Sequence, residues 1–258
     1  MESMCEDEPD AIKGILAEII DKASGVFLWA VLACRSLLQG FAAYDYIQDL
    51  QKRIDELPPE LEDLFRHMLG NTEPRYQSQG ATLLRLCYYS QRNSEAFKVE
   101  TLGLAVIDSG RIRPRSADYK TMSVEKRRSL CKVLEGRLRS RCCGLLEVRR
   151  QHYGNPCFCM TKGTHDHDSL IDSTVHFMHR TVFEFLEVPG NWDLDFLQIE
   201  DDFEPTAILA LMSLHLTQLS MNRSTNRAAQ TDEFLNNMFV HSIRADRTGN
   251  DAIASVFS

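Results

Sequence analysis

The sequence predicts a mainly α protein, with a helical bundle first, an α+β module next and C-terminal helices last. Three observations carry that prediction. Apolar residues recur at helical spacing through most of the first 70 positions. Residues 174–179 alternate as a strand does, and beyond Pro205 a nearly unbroken apolar run returns at helical length.

The bundle is expected over residues 9–72. Pro9 and Asp10 open a helix whose apolar positions are Ile12, Ile15, Leu16, Ile19 and Ile20, and Ser24-Gly25 breaks it. Val26 to Phe41 is apolar almost all round, so this second helix should lie centrally, with Trp29 as a core anchor. Ile47, Leu50, Ile54 and Leu57 mark a third helix, stopped by Pro58-Pro59. Pro59 suits the first turn of a fourth, which buries Leu61, Leu64, Phe65, Met68 and Leu69.

The texture changes after Asn71-Thr72-Glu73-Pro74, and a second module is expected over 73–190. Leu83, Leu84, Cys87 and Tyr88 predict one helix, and Val99 to Ile107 a shorter one. Asp108 to Met122 is polar and reads as a loop. Ser123 is placed to cap a long helix carrying Leu130, Cys131, Leu134 and Leu138, which Gly144 ends. Leu145 to Arg149 and Thr174 to His179 then read as two strands around a polar excursion from His152 to Ser173. Helices followed by a two-stranded hairpin is the order of a winged helix. Residues 191–258 form a C-terminal helical segment, expected to be truncated. It contains a helix from Pro205 to about Leu219 and another, capped by Thr231, carrying Phe234, Leu235, Met238, Phe239 and Ile243.

Composition narrows the function classes. Hydrophobic residues at 43% and charged residues at 26% are ordinary for a water-soluble globular chain. A net charge of −8 argues against a nucleic-acid partner, and the basic cluster Lys126 to Arg150 reads as a solvated helix face. The longest apolar stretch, Val26 to Cys34, is far too short to span a bilayer, so no membrane partner is expected. Eight cysteines without framework spacing fit a reducing, cytoplasmic setting.

Three ordered segments carry a resemblance. They are Lys22-Ala23-Ser24-Gly25-Val26-Phe27-Leu28-Trp29-Ala30 with Arg35-Ser36-Leu37-Leu38, and Leu57-Pro58-Pro59-Glu60-Leu61-Glu62-Asp63-Leu64-Phe65. The third joins Arg141-Cys142-Cys143-Gly144-Leu145-Leu146-Glu147-Val148 to Phe177-Met178-His179-Arg180-Thr181-Val182. Together they resemble fungal NACHT-type signal-transducing (STAND) NTPases, in the part just downstream of the nucleotide-binding core. The resemblance implies a helical lid followed by a winged-helix-like module. It also implies that His179 matches a histidine that contacts the β-phosphate of bound ADP and holds the resting state. Met178 precedes it as in the plant Met-His-Asp pattern, and Arg180 stands in place of the Asp.

The chain departs from that group where the chemistry would be done. It has no Gly-x-x-x-x-Gly-Lys-Ser/Thr loop, and no hydrophobic strand ends in paired carboxylates for Mg²⁺. It is therefore expected to be no enzyme and to hold no cofactor of its own. Its expected partner is a NACHT nucleotide-binding core encoded elsewhere, or other protein domains. On this reading it is a fragment of a longer receptor, a truncated product, or a partner acting in trans.

Candidate site residues follow. His179 sits where a strand turns into a helix, a place where free backbone N–H groups meet anions. It reads either as a phosphate sensor with Arg180 or as a structural histidine bonded at a strand end. Cys157-x-Cys159 and His165-x-His167 could bring four ligands to zinc from two paired strands, although their spacing matches no zinc finger or ribbon. Cys142-Cys143 has no fixed base nearby and reads as packing at a helix-to-strand corner. The acidic runs Glu6-Asp7-Glu8 and Asp201-Asp202 read as solvated surface. In an alternative reading the chain is a free-standing helical interaction module, with the apolar helix Ile208 to Leu219 as its exposed docking surface.

Overall fold

A computed structural model describes residues 8–93, 99–109, 122–150, 168–199 and 203–221. The chain divides into two compact units, Met1–Asn71 and Thr72–Ser258. Among the described residues the fold is mainly helical, with one small antiparallel sheet. The expected helix around Phe234 to Ile243 lies outside the described residues.

The first unit holds α1 (Glu8–Ala23), α2 (Phe27–Ala42), α3 (Ile47–Asp55) and α4 (Leu61–Gly70). Helices α1, α2 and α3 pack pairwise, burying Ile15, Ile19, Leu32, Leu50, Ile54 and Leu57. Trp29 is fully buried, and its Nε1 donates to Pro58 O at 2.7 Å, fastening α2 to the turn before α4. Lys22 Nζ donates to Ile54 O (2.7 Å) and Asp55 O (2.9 Å), where the end of α3 leaves carbonyls without intrahelical partners.

Two expectations for this unit are corrected. Pro59 does not enter α4, which is capped by Glu60 and makes its first bond from Leu64 N to Glu60 O at 2.9 Å. Nor is α2 central. Leu28, Trp29, Leu32, Ala33 and Leu37 are buried, while Phe27, Leu38 and Phe41 on the other side are exposed. The α1 positions divide likewise, with Ile15 and Ile19 inward and Ile12, Leu16 and Ile20 outward.

The second unit runs α5 (Pro74–Asn93), β1 (Val99–Glu100), α6 (Thr101–Asp108), α7 (Val124–Arg141), β2 (Leu146–Arg149), β3 (Thr174–Phe177), α8 (Arg180–Glu187) and α9 (Pro205–Met221). Two short 3-10 turns, Pro189–Asp193 and Asp195–Leu197, join the last two helices. Strand β3 is central in the order β1-β3-β2, with Val99 opposite Val175 and Leu146 opposite Phe177. Val99 is thus a strand residue and not the start of a helix. It supplies the ladder on the edge of β3 that β2 leaves open, and Thr101 N continues the contact to Ser173 O at 3.0 Å.

Ser123 caps α7 as its position predicts, its side chain accepting from Lys126 N. Two glycines set the ends of this layer. A methyl at Gly80 in α5 would sit 2.4 Å from Arg141 O, so α5 crosses the end of α7 at backbone contact. Gly144 has φ +69°, which lets the chain reverse from α7 into β2. The basic cluster is only partly a solvated face. Arg127 is buried, Arg137 is ion-paired to the nearly buried Asp108, and the Arg141 guanidinium lies 4.6 Å from the Tyr76 ring centre.

Helix α9 is also corrected. It packs against α5 and α6, burying Leu209, Ala210, Leu211, Met212 and Leu216, so the docking surface expected there is core. Close packing explains it, since a Cβ at Gly103 would meet Met212 Cγ at 2.7 Å.

Two outcomes are expected in unfolding experiments. Replacing Trp29 with Phe removes a half-buried hydrogen bond and part of a core side chain, and should cost about 1–3 kcal/mol in urea melts. Trp29→Ala should cost about 3–5 kcal/mol. His215 is buried in α9, and desolvation pushes its pKa down to about 4. An unfolded chain holds that proton below about 6.5 and the fold does not until about 4. Stability should therefore fall as pH drops through that window, and calorimetry of His215→Gln should show a shallower fall.

Candidate functional site

The corner between β3 and α8 is built from strand pairing on one side and helix burial on the other. Past the last β3 residue, Met178 N still donates to Leu145 O at 3.0 Å, which carries the ladder up to His179. His179 is extended (φ −152°, ψ 154°) and is the N-cap of α8. Its Nδ1 accepts from Thr181 N at 3.2 Å and lies 3.0 Å from Thr181 Oγ1. An amide N–H can only donate, so Nδ1 is the acceptor and the ring proton sits on Nε2. His179 is an exposed residue, and the bonds it makes to Thr181 use Nδ1 alone.

Helix α8 holds the corner in place. Val182, Phe185 and Leu186 are buried, and Phe183 stacks against Tyr88 (5.2 Å between ring centres) and Phe177 (5.9 Å). At the far end the buried Asn191 donates Nδ2 to Phe185 O at 2.7 Å, a carbonyl that also accepts from Val188 N at 3.4 Å. Trp192 closes the cluster, 5.4 Å from Tyr88 and under the Arg85 guanidinium at 4.6 Å. Burial lowers the pKa of Arg85, although Tyr89 and Asp193 work against it.

Arg180 begins α8 and is highly exposed. Its Nε lies 2.7 Å from Glu184 Oε1, an i, i+4 surface pair of small energetic weight. The structure thus sets His179 and Arg180 side by side at one helix start, with an imidazole N–H and a guanidinium on the solvent side. Both are donors to anions. The Thr181 N–H, which the sequence leaves available to a ligand, is instead taken by the imidazole. The structural role expected of a strand-end histidine is present, and it leaves Nε2 open.

The four residues of the expected zinc site, Cys157, Cys159, His165 and His167, lie outside the described residues. Among the described residues no group of three or more His, Cys, Asp or Glu side chains is gathered to hold a metal ion. Cys142 is buried, with Sγ against Gly80 O at 3.7 Å, and burial pushes its thiol well up. Cys87 and Cys131 are pushed up to about 12, also by burial. Such thiols stay protonated and pack as small apolar groups.

A protein-family model described as a domain of unknown function, DUF7791, matches residues 71–245. The chain belongs to the DUF7791 family. The DUF7791 match begins where the first compact unit ends, and it takes in the sheet, the β3–α8 corner and α9. No curated protein and no solved structure matches the chain.

Several residues that hold the DUF7791 corner escaped the sequence reading. Phe185 belongs to the buried face of α8, and its i+3 spacing from Val182 was the available signal. Asn191 and Arg85 gave none, because a polar side chain that reaches a helix-end carbonyl six residues back or lies against an indole follows no local period. Trp192 packs on this unit against Tyr88 and Arg85.

The cap gives a direct test. His179→Ala should lose about 1 kcal/mol of stability in denaturant melts, while His179→Asp, a good N-cap, should restore most of it.

Proposed function

We propose that the chain is a non-catalytic regulatory module of a NACHT-type signalling NTPase, coupling nucleotide state to domain arrangement. On this reading the first unit is the helical lid and the second a winged-helix-like module. The chain works in the cytoplasm beside a nucleotide-binding core in cis or in trans. The observation that carries the reading is the exposed residue His179, held at a strand–helix corner through Nδ1 so that its bond to the helix does not use Nε2. The element order also supports it. α5-β1-α6-α7-β2-β3, with β3 between β1 and β2, is the arrangement expected of a winged helix. No helix among the described residues is long and apolar enough to cross a membrane.

The residues present do not bind a nucleotide by themselves. They offer one imidazole N–H and one guanidinium but no phosphate-cradling loop. What they can do is add a donor and a positive charge to a phosphate held by another domain. Since Nδ1 remains on the helix, gaining that contact costs no cap. A contact made in only one arrangement of the domains biases the equilibrium toward it.

The test mixes or fuses the chain with a homologous nucleotide-binding core and follows release of bound ADP. His179→Ala should speed release about tenfold, a loss of about 1.4 kcal/mol. His179→Asp, with its cap intact but a negative charge facing the phosphate, should speed it further. Equal ADP retention in all three proteins would refute the sensor role.

A second reading, an interaction module without nucleotide dependence, is favoured by the exposed apolar residues of α1 and α2 rather than by α9. On that reading partner binding is unaltered by His179 variants.

A further inference from the structure

The sheet ends on a strand with a partner on one side only. In the order β1-β3-β2, strand β2 pairs with β3 and leaves its other edge open. The bond from Met178 N to Leu145 O makes those two residues a hydrogen-bonded pair, and such pairs alternate along an antiparallel ladder. Glu147 with His176 and Arg149 with Thr174 are therefore the next bonded pairs. Leu146 and Val148 lie between them, so their N–H and C=O groups point to the open edge. Among the described residues no strand and no backbone group pairs with them there. A row of unused donors and acceptors is a template for one more strand.

The side chains of β2 select that strand. Buried Leu146 and half-buried Val148 share the face of Val175 and Phe177. Glu147 and Arg149 share the opposite face, where Arg149 Nε lies 3.3 Å from Glu147 Oε1. A second β2, turned about a two-fold axis through Val148, sets Val148 against Val148 and each Glu147 against an Arg149. The two valines then exchange both of their backbone bonds, and each covers the half-exposed side chain of the other. An axis one residue to either side sets Glu147 against Glu147 or Arg149 against Arg149, and like charges directly opposite are destabilising. The edge is complementary to itself when centred on Val148, which is what an isologous contact requires.

We propose that the open edge of β2 is a homodimer interface. Two copies pair β2 with β2 antiparallel across a two-fold axis at Val148, joining two three-stranded sheets into one. The contact uses neither His179 nor Arg180 and stands whether or not that corner senses phosphate.

The test follows the full chain by sedimentation velocity over a concentration series. A short strand edge is a small interface, so the midpoint between monomer and dimer is expected at about 10–100 µM. Glu147→Arg and Arg149→Glu should each weaken the dimer about tenfold, because each turns both opposite-charge contacts across the axis into like-charge ones. An equimolar mixture of the two variants should dimerise about as well as the unaltered chain, since every contact across the axis then joins opposite charges. Amide hydrogen exchange should slow with concentration at Leu146 and Val148, and change little at Glu147 and Arg149, which β3 already holds. A monomer throughout the series, single variants that dimerise as tightly as the unaltered chain, or a mixture no better than its parents would overturn the proposal. So would a monomer whose Leu146 and Val148 amides are already protected, because another segment of the same chain would then hold the edge.

Discussion

Everything in the second unit that positions a side chain for use depends on the pairing of β3 along both of its edges. Four residues, Thr174 to Phe177, collect β2 from about 30 residues upstream and β1 from about 75 upstream. Closing loops of that length is entropically costly, and the return comes from pairing and burial made together. Val175 and Phe177 are buried beneath the sheet, and the Ser173 hydroxyl bonds Thr101 Oγ1 at 2.8 Å inside the core. A β3 that slipped by one residue would turn Val175 and Phe177 out and His176 in. The same slip would carry His179 off the start of α8. Strand register and the identity of the helix cap are therefore one constraint.

The corner also shows how a structural duty and a ligand-facing duty can share one ring. An N-cap of Ser or Asp would satisfy Thr181 N equally well and end there. Imidazole satisfies it with one nitrogen and carries its second polar atom to the opposite edge, away from the helix. The bond to Thr181 N also decides the tautomer, so the outer edge is a donor. A donor beside the Arg180 guanidinium suits an anion and not a cation. This is the physical content behind reading the corner as a phosphate contact. It does not depend on any free amide at the helix start.

What was legible in the sequence was what repeats locally. The helical periods, the Ser123 cap and the entry of α9 at Pro205 all rest on neighbours within about four residues, where period and cap chemistry act. The misreadings have a common cause in distant partners. A two-residue β1 has no period to read, and only β3 makes Val99 a strand residue. Arg127 belongs to a charged run and is buried all the same. Pro59 is a good first-turn residue, yet α4 starts at Leu61, and the Pro58 carbonyl beside it serves Trp29, 29 residues away. His179 and Arg180 were legible as a strand–helix corner, whereas the Phe183–Tyr88–Trp192 packing that orients α8 was not.

Helix α2 carries that lesson one step further. A helix apolar nearly all round can be central, or it can lie between its own core and something else, and periodicity alone treats the two alike. The core side of α2 is settled by Trp29, which is fully buried and whose indole N–H donates to the half-buried Pro58 carbonyl. That bond fixes the rotation of the helix about its axis and so determines which residues end up opposite. Phe27, Leu38 and Phe41 are outside because Trp29 is inside. Their exposure follows from that contact and not from loose packing.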